Sequence, residues 1–308
     1  MIQPPGFSQQ SLTTSLGNLV YYSAKPAFWQ AESNSEATAS ESLEDSFPQR
    51  PTLIFLHGFG GGSSAYEWSK VYPAFAVDYR VLAPDLLGWG RSAHLARSYQ
   101  IEDYLSTIKE FIEQVCQTPA TVIASSLTAA LTVRVAIAYP RLFKSLILTS
   151  PSGLADFGKD YSRTPIAQLV STPILDRLLY STAIATSSGV RNFLQQRQFA
   201  RSNRISQEMV DAYLASAQQP NAEYSALSFV RGDLCFDLAD FMPRLTIPTA
   251  IIWGKQSQFT SPEIGQRLAE LNPQAIRVLE ILEDVGLTPQ LELPAVTIGL
   301  IRKFLKLL

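Results

Sequence analysis

The sequence predicts an α/β fold: a doubly wound, mostly parallel sheet with an inserted helical cap. Two observations carry this. Short continuous apolar runs such as Thr52–His57 and Ala120–Ser125 read as strands buried on both faces, and they alternate with helical periods. Between about Leu154 and Pro243 the strand runs stop and only helical periods remain. The division expected is therefore a core of residues 1–153 and 244–308 and a cap of residues 154–243, lying over one edge of the sheet.

The elements follow in order. Residues 10–24 alternate around Leu16-Gly17-Asn18 and read as a β-hairpin. Residues 27–50 are rich in Ser, Glu and Ala, with Phe28, Trp29 and Phe47 the only aromatics, and read as a flexible surface insertion. After the Thr52–His57 strand come a glycine-rich turn, a helical stretch near Ala65–Phe75 and a strand at Tyr79–Ala83. A helix fits Ile101–Cys116, a strand Ala120–Ser125, a helix Leu127–Tyr139 and a strand Ser145–Thr149. The cap shows helical periods around Ile166–Leu179, Val190–Phe199, Ser206–Ser216 and Tyr224–Arg231. Strands return at Thr249–Trp253 and Ile276–Leu282, each followed by a helix. The last, Pro294–Leu308, places Leu300, Ile301, Phe304, Leu305 and Leu308 at helical spacing and should pack on the sheet; a membrane-surface contact is not indicated.

Composition excludes several functions. The chain has 308 residues, 25 basic against 27 acidic side chains and a net charge of −2, with no basic run to meet nucleic acid phosphates. Cys116 and Cys235 cannot form a disulfide framework and fit a reducing, cytoplasmic setting. Met1–Pro5 lacks the basic start and apolar stretch of a signal peptide. The most apolar long window, Ala120–Tyr139, carries Arg134 and splits into strand, turn and helix, so no transmembrane segment is expected. His57 and His94 are the only histidines, too few to converge as metal ligands, and no cofactor is expected. Gly58-Phe59-Gly60-Gly61-Gly62-Ser63 nearly matches a dinucleotide fingerprint, but Ser63 replaces its third glycine.

Three motifs occur in a specific order: His57-Gly58-Phe59-Gly60-Gly61-Gly62 after a buried strand, Asp85-Leu86-Leu87-Gly88-Trp89-Gly90-Arg91-Ser92, and Ala124-Ser125-Ser126-Leu127-Thr128 between strand and helix. Together they resemble the α/β-hydrolase fold family from about residue 10 to the end. The wording around Trp68, Asp85 and Gly88 is similar to its pheophytinase-like and magnesium-chelatase-accessory branches. The resemblance implies that Ser126 is the nucleophile position on a sharp strand-to-helix elbow. It also implies that the backbone N–H groups of Phe59 and Leu127 form the oxyanion hole. Thr128 departs from the small residue usual there, and a β-branched side chain at a crowded turn is expected to distort the elbow or narrow the pocket.

The family places its acid in a Trp-Gly-x-x-Asp pattern and its base in a Gly-His pattern. Here Trp253-Gly254-Lys255-Gln256 is followed by Ser257, and Gly286 by Leu287. The frames match and both proton-transfer residues are missing. The stretch Thr149–Gly153, where a displaced acid could sit, has no carboxylate. Two functions follow. One is non-catalytic binding of a small apolar ligand or a protein partner, with Leu169, Leu178, Leu179, Tyr180 and Phe193 as cap candidates beside Leu287. The other is a serine hydrolase or lyase acting on an ester, thioester or related acyl compound, with His57 or His94 as an unconventional base.

Overall fold

The computed structural model describes residues 3–29, 50–158 and 179–308. Most of the expected insertion at 27–50, most of the expected helix at Ile166–Leu179, and the cap candidates Leu169 and Leu178 lie outside the described residues.

Eight strands form one sheet: β1 Phe7–Thr14, β2 Gly17–Ala24, β3 Thr52–Leu56, β4 Arg80–Pro84, β5 Ala120–Ser125, β6 Phe143–Thr149, β7 Thr249–Gly254 and β8 Ile276–Leu282. Their order is β1-β2-β4-β3-β5-β6-β7-β8. β1 and β2 form the antiparallel hairpin, β2 runs antiparallel to β4, and all later pairings are parallel. The central strands are largely apolar because alternate side chains enter two cores. Ile54, Leu56, Val122, Ala124 and Ile251 face one; Leu53, Phe55, Ile123, Ile147 and Ile252 face the other.

The sheet is flanked by α1 Pro26–Trp29, α2 Ile101–Val115, α3 Ser126–Ala138, α7 Pro262–Glu270, α8 Pro289–Glu292 and α9 Pro294–Leu307. Between β6 and β7 lie α4 Ser187–Phe193, a π-helical turn Leu194–Gln198, α5 Gln207–Ala217 and α6 Ala222–Arg231. The expected helix at Val190–Phe199 is thus α4 running into a wider turn. α5 starts where Ser206 accepts from the Met209 N–H, and α6 stops at Gly232 in a left-handed conformation.

Two expectations need correction. The stretch Ala65–Phe75 is not one helix but two 3₁₀ turns, Ala65–Trp68 and Tyr72–Phe75. Pro73 lacks the N–H a continuous helix would use, and the Ala65 N–H goes to Asp85 instead. The inserted segment does not cover a sheet edge. It leaves the carboxyl end of β6 and returns to the amino end of β7, neighbouring parallel inner strands. A parallel bridge between Leu154 and Phe236 joins its two ends, and the Asp156 carboxylate accepts from the Leu238 N–H.

Asp85, fully buried beyond β4, accepts from the N–H groups of Ala65 and Arg91 and from the Tyr22 hydroxyl. It pins the first 3₁₀ turn and the Gly88–Ser92 turn to the hairpin. Burial pushes its carboxyl up to about 6 against these donors.

On α9, Ile301 and Phe304 are fully buried in the core that contains Phe55 and Phe75. Phe304→Ala should cost about 3–5 kcal/mol in denaturant unfolding. A loss under about 1 kcal/mol would mean that α9 does not depend on the sheet.

Candidate functional site

The strand-to-helix junction sets the site. Ser125 ends β5 in an extended conformation, and α3 begins at Ser126, whose φ is +54°. That left-handed value turns the chain sharply and holds Ser126, 6% exposed, at the carboxyl end of the central strand. Among the described residues no side chain hydrogen-bonds its hydroxyl. Its backbone oxygen lies 3.4 Å from the Ser152 N–H beyond β6. Thr128 is fully buried in the first turn of α3. Its carbonyl accepts from the Thr132 hydroxyl at 2.7 Å, while its own Oγ1 has no partner among the described residues.

The loop after β3 lies beside the elbow. A methyl group on Gly58 would sit 3.5 Å from Ser126 Cβ and 3.5 Å from Ser125 Oγ. Phe59 stacks on Trp89 at 5.2 Å and packs against Tyr104, which fixes the loop's course. Neither the Phe59 nor the Leu127 N–H donates to a described residue.

His57 is fully buried. Its Nε2 accepts from the Leu86 N–H at 3.0 Å, so the ring proton is on Nδ1, which donates to the Gly58 carbonyl at 2.7 Å. Burial lowers its pKa to about 4, with the Gly58 carbonyl pulling weakly the other way. A neutral ring with both nitrogens engaged has nothing to offer Ser126. His94, half-buried, points Nε2 at the Gly90 carbonyl at 3.2 Å, and its backbone oxygen accepts from Asn221 in the inserted segment. Burial lowers its pKa too, and its buried Nδ1 has no partner among the described residues.

Ser257 follows β7, its N–H bonded to the Gly254 carbonyl and its buried Oγ unpartnered among the described residues. Leu287 follows β8, is 3% exposed and donates its N–H to the Gln198 carbonyl at 2.8 Å. Backbone bonds lace the two loops together, since Gln256 and Val285 share one. Gly286 is a position of close approach: a methyl group there would lie 2.3 Å from the Gln198 carbonyl oxygen. Asp156, beyond Thr149–Gly153, is buried and bonded to the Ser152 hydroxyl and the Gly153 and Leu238 N–H groups. Glu283 and Asp284 lie on the outer rim, paired with Lys255 and with Arg201 and Arg204.

The inserted segment sits directly on this floor. A methyl group on Gly60 would meet the Phe193 ring at 2.8 Å and Gln198 Nε2 at 3.3 Å, and one on Gly61 would meet Ile184 at 2.7 Å. Arg204 clamps it down, binding Asp284 and the buried Glu292, which also accepts from the Gly286 and Ala200 N–H groups. Beneath the loop Glu67, 1% exposed, accepts from the Gly58 N–H at 2.9 Å. Gln290 donates to Ser125 Oγ at 3.3 Å. No spacing rule points to Glu67, Gln198, Tyr213 or Gln290. The one available signal was a charged residue inside the apolar run Ala65-Tyr66-Glu67-Trp68.

Among the described residues no group of three or more His, Cys, Asp or Glu is placed to hold a metal ion, and no helix is long and apolar enough to cross a membrane.

The profile of a family described as alpha/beta hydrolase fold matches residues 51–284. Epoxide hydrolase 4 from Mus musculus is 25% identical over 272 residues, covering 83% of this chain and 73% of that protein. Lipase 3 from Moraxella sp. (strain TA144) is 24% identical over 253 residues, 78% of this chain and 72% of that one. The crystal structure of bromoperoxidase from Bacillus anthracis superposes with a TM-score of 0.73 at 16% identity, covering 97% of this chain and 100% of that one.

The left-handed backbone at position 126 makes a direct prediction. Ser126→Gly should stabilise the protein by about 1 kcal/mol, because glycine adopts that φ without the Cβ clash, while Ser126→Ala should be close to neutral. Equal unfolding midpoints for wild type and both variants would mean that the elbow stores no strain.

Proposed function

The chain belongs to the alpha/beta hydrolase fold family, and from that premise we propose that it is a binding protein that keeps the nucleophile elbow and has lost its proton-transfer pair. One observation carries the reading: the base position is Leu287, buried, with its backbone bonded to Gln198. A serine hydroxyl needs an adjacent base to become nucleophilic. Both ring nitrogens of His57 are engaged by the backbone of Gly58 and Leu86, and His94 directs Nε2 at the Gly90 carbonyl of its own loop. Ser257 at the acid position has no carboxylate to orient a base.

What remains is a set of donors without a base. The Ser126 hydroxyl, the Phe59 and Leu127 N–H groups and the amino end of α3 suit a carbonyl or carboxylate held without cleavage. Residues 154–243 act as a cap over it, and Leu287, Tyr180 and Phe193 favour a small, largely apolar ligand. A protein partner is the alternative occupant. Cys116 and Cys235, which form no disulfide, support a reducing, cytoplasmic setting.

The names of the relatives, an epoxide hydrolase and a lipase, favour a second reading. In it Ser126 attacks an ester, thioester or related acyl compound with help from a group other than the family's histidine.

Labelling with a fluorophosphonate probe separates the two. Wild type is expected to label no more than Ser126→Ala, and Ser257→Asp with Leu287→His is expected to gain labelling at Ser126. Strong wild-type labelling at Ser126, with turnover of acyl esters, would establish the second reading instead.

A further inference from the structure

Glu67 has no role in the reading above, yet it is a buried carboxyl beside the loop that begins at His57. It is 1% exposed, and among the described residues no cation pairs with it. An ionised carboxylate in that position lacks the compensation buried charges require. Its hydrogen bonds show how the cost is avoided. Oε2 accepts from the Gly58 N–H at 2.9 Å. Oε1 lies 3.0 Å from the Tyr213 hydroxyl, and the same hydroxyl lies 3.0 Å from Gln198 Oε1.

Tyr213 carries one proton for two acceptors. With Glu67 ionised, one of the two contacts has no proton and the phenol oxygen accepts none. With a proton on Glu67 Oε1, the acid donates to the Tyr213 oxygen and Tyr213 donates to Gln198. Each oxygen in the chain then has one donor.

We propose that Glu67 is held as the neutral carboxylic acid and that its proton, relayed through Tyr213 to Gln198, closes the inserted segment over the loop that begins at His57. Tyr213 belongs to α5 and Gln198 to the π-helical turn, while Glu67 and Gly58 belong to the sheet side. The Gln198 carbonyl also holds the Leu287 N–H, so the relay reaches the loop after β8. Glu67 is a positioning residue in this scheme, and the scheme does not depend on which ligand the site takes.

Several groups surround Glu67, and because burial raises Asp85 to about 6 as well, the comparison with Glu67→Gln isolates the Glu67 contribution. On its own turn, Tyr66 donates to Glu208 of α5, which pairs with Lys70. From the loop after β3 comes neutral His57; from beyond β4, Asp85, bonded to the Ala65 N–H. From α8 come Gln290 and Glu292, the latter satisfied by Arg204, Gly286 and Ala200. Burial keeps Tyr213 protonated and pushes the Glu67 carboxyl up, against the pull of the Gly58, Tyr213, Ser63 and Gln290 groups around it. The folded state favours the acid form. The stability Glu67 contributes is therefore complete below the ordinary carboxylate range and is lost as pH rises through its folded value.

The test uses the full chain and Glu67→Gln, an isostere of the neutral acid. An infrared difference spectrum near neutral pH should show a protonated-carboxyl carbonyl band in wild type that Glu67→Gln lacks. Absence of that band would overturn the proposal. Hydrogen exchange across residues 198–217, corrected for intrinsic rates, reads the closure. Between about pH 6 and about pH 9 wild type should open at least ~10-fold more often, and Glu67→Gln should not. The same pH dependence in both would break the link between the proton and the closure. Tyr213→Phe should keep the infrared band and exchange faster at every pH. Failure of Glu67→Gln to fold would count against the proposal, since the neutral isostere should fit; Tyr213→Phe then carries the exchange measurement.

Discussion

Everything in this molecule arranges itself around a backbone reversal at Ser126. A strand buried on both faces must become a helix with no loop between, and the only way through is a left-handed residue at φ +54°. That turn sets Ser126 Cβ beside Gly58 in the loop after β3, where a methyl group would be in ordinary contact at 3.5 Å. Gly58 then offers its N–H inward to Glu67, and Phe59 turns away into the aromatic stack with Trp89 and Tyr104. The inserted segment, the clamp at Arg204 and the laced loops after β7 and β8 all rest on that floor.

The elements most constrained by burial were the ones most legible in the amino-acid order. β3, β5 and β7 read correctly because a strand covered on both faces has no polar position to spare. The elbow was visible because its neighbours are mostly small, and the β-branched Thr128 sits fully buried in the first turn of α3. The stretch Ala65–Phe75 misled because buried aromatics repeat at nearly helical spacing while Pro73 and Asp85 dictate two separate turns. The placement of the inserted segment followed from strand order, which no local pattern encodes. The Glu67–Tyr213 contact spans 146 residues and leaves no trace in spacing.

Desolvation sets the electrostatics around the site. Its titratable groups are buried and driven toward neutrality: His57 stays unprotonated, and the carboxyls of Asp85 and Glu67 are shifted upward by desolvation. Proton transfer needs partners whose affinities differ and whose geometry lets a proton pass to the reacting atom. The buried groups His57, Asp85 and Glu67 bond to backbone amides and to tyrosine hydroxyls.

The bridge between Leu154 and Phe236, with Asp156 bonded to Leu238, has a consequence for how such a chain can change over generations. It closes the stem of the inserted segment at the point where the segment leaves the sheet, so β6 and β7 keep their pairing whatever is threaded between them. Length and sequence beyond that stem can drift, or be exchanged for another lineage's, without re-registering a strand. Selection on what the site admits can therefore act on one module while the scaffold beneath is left undisturbed.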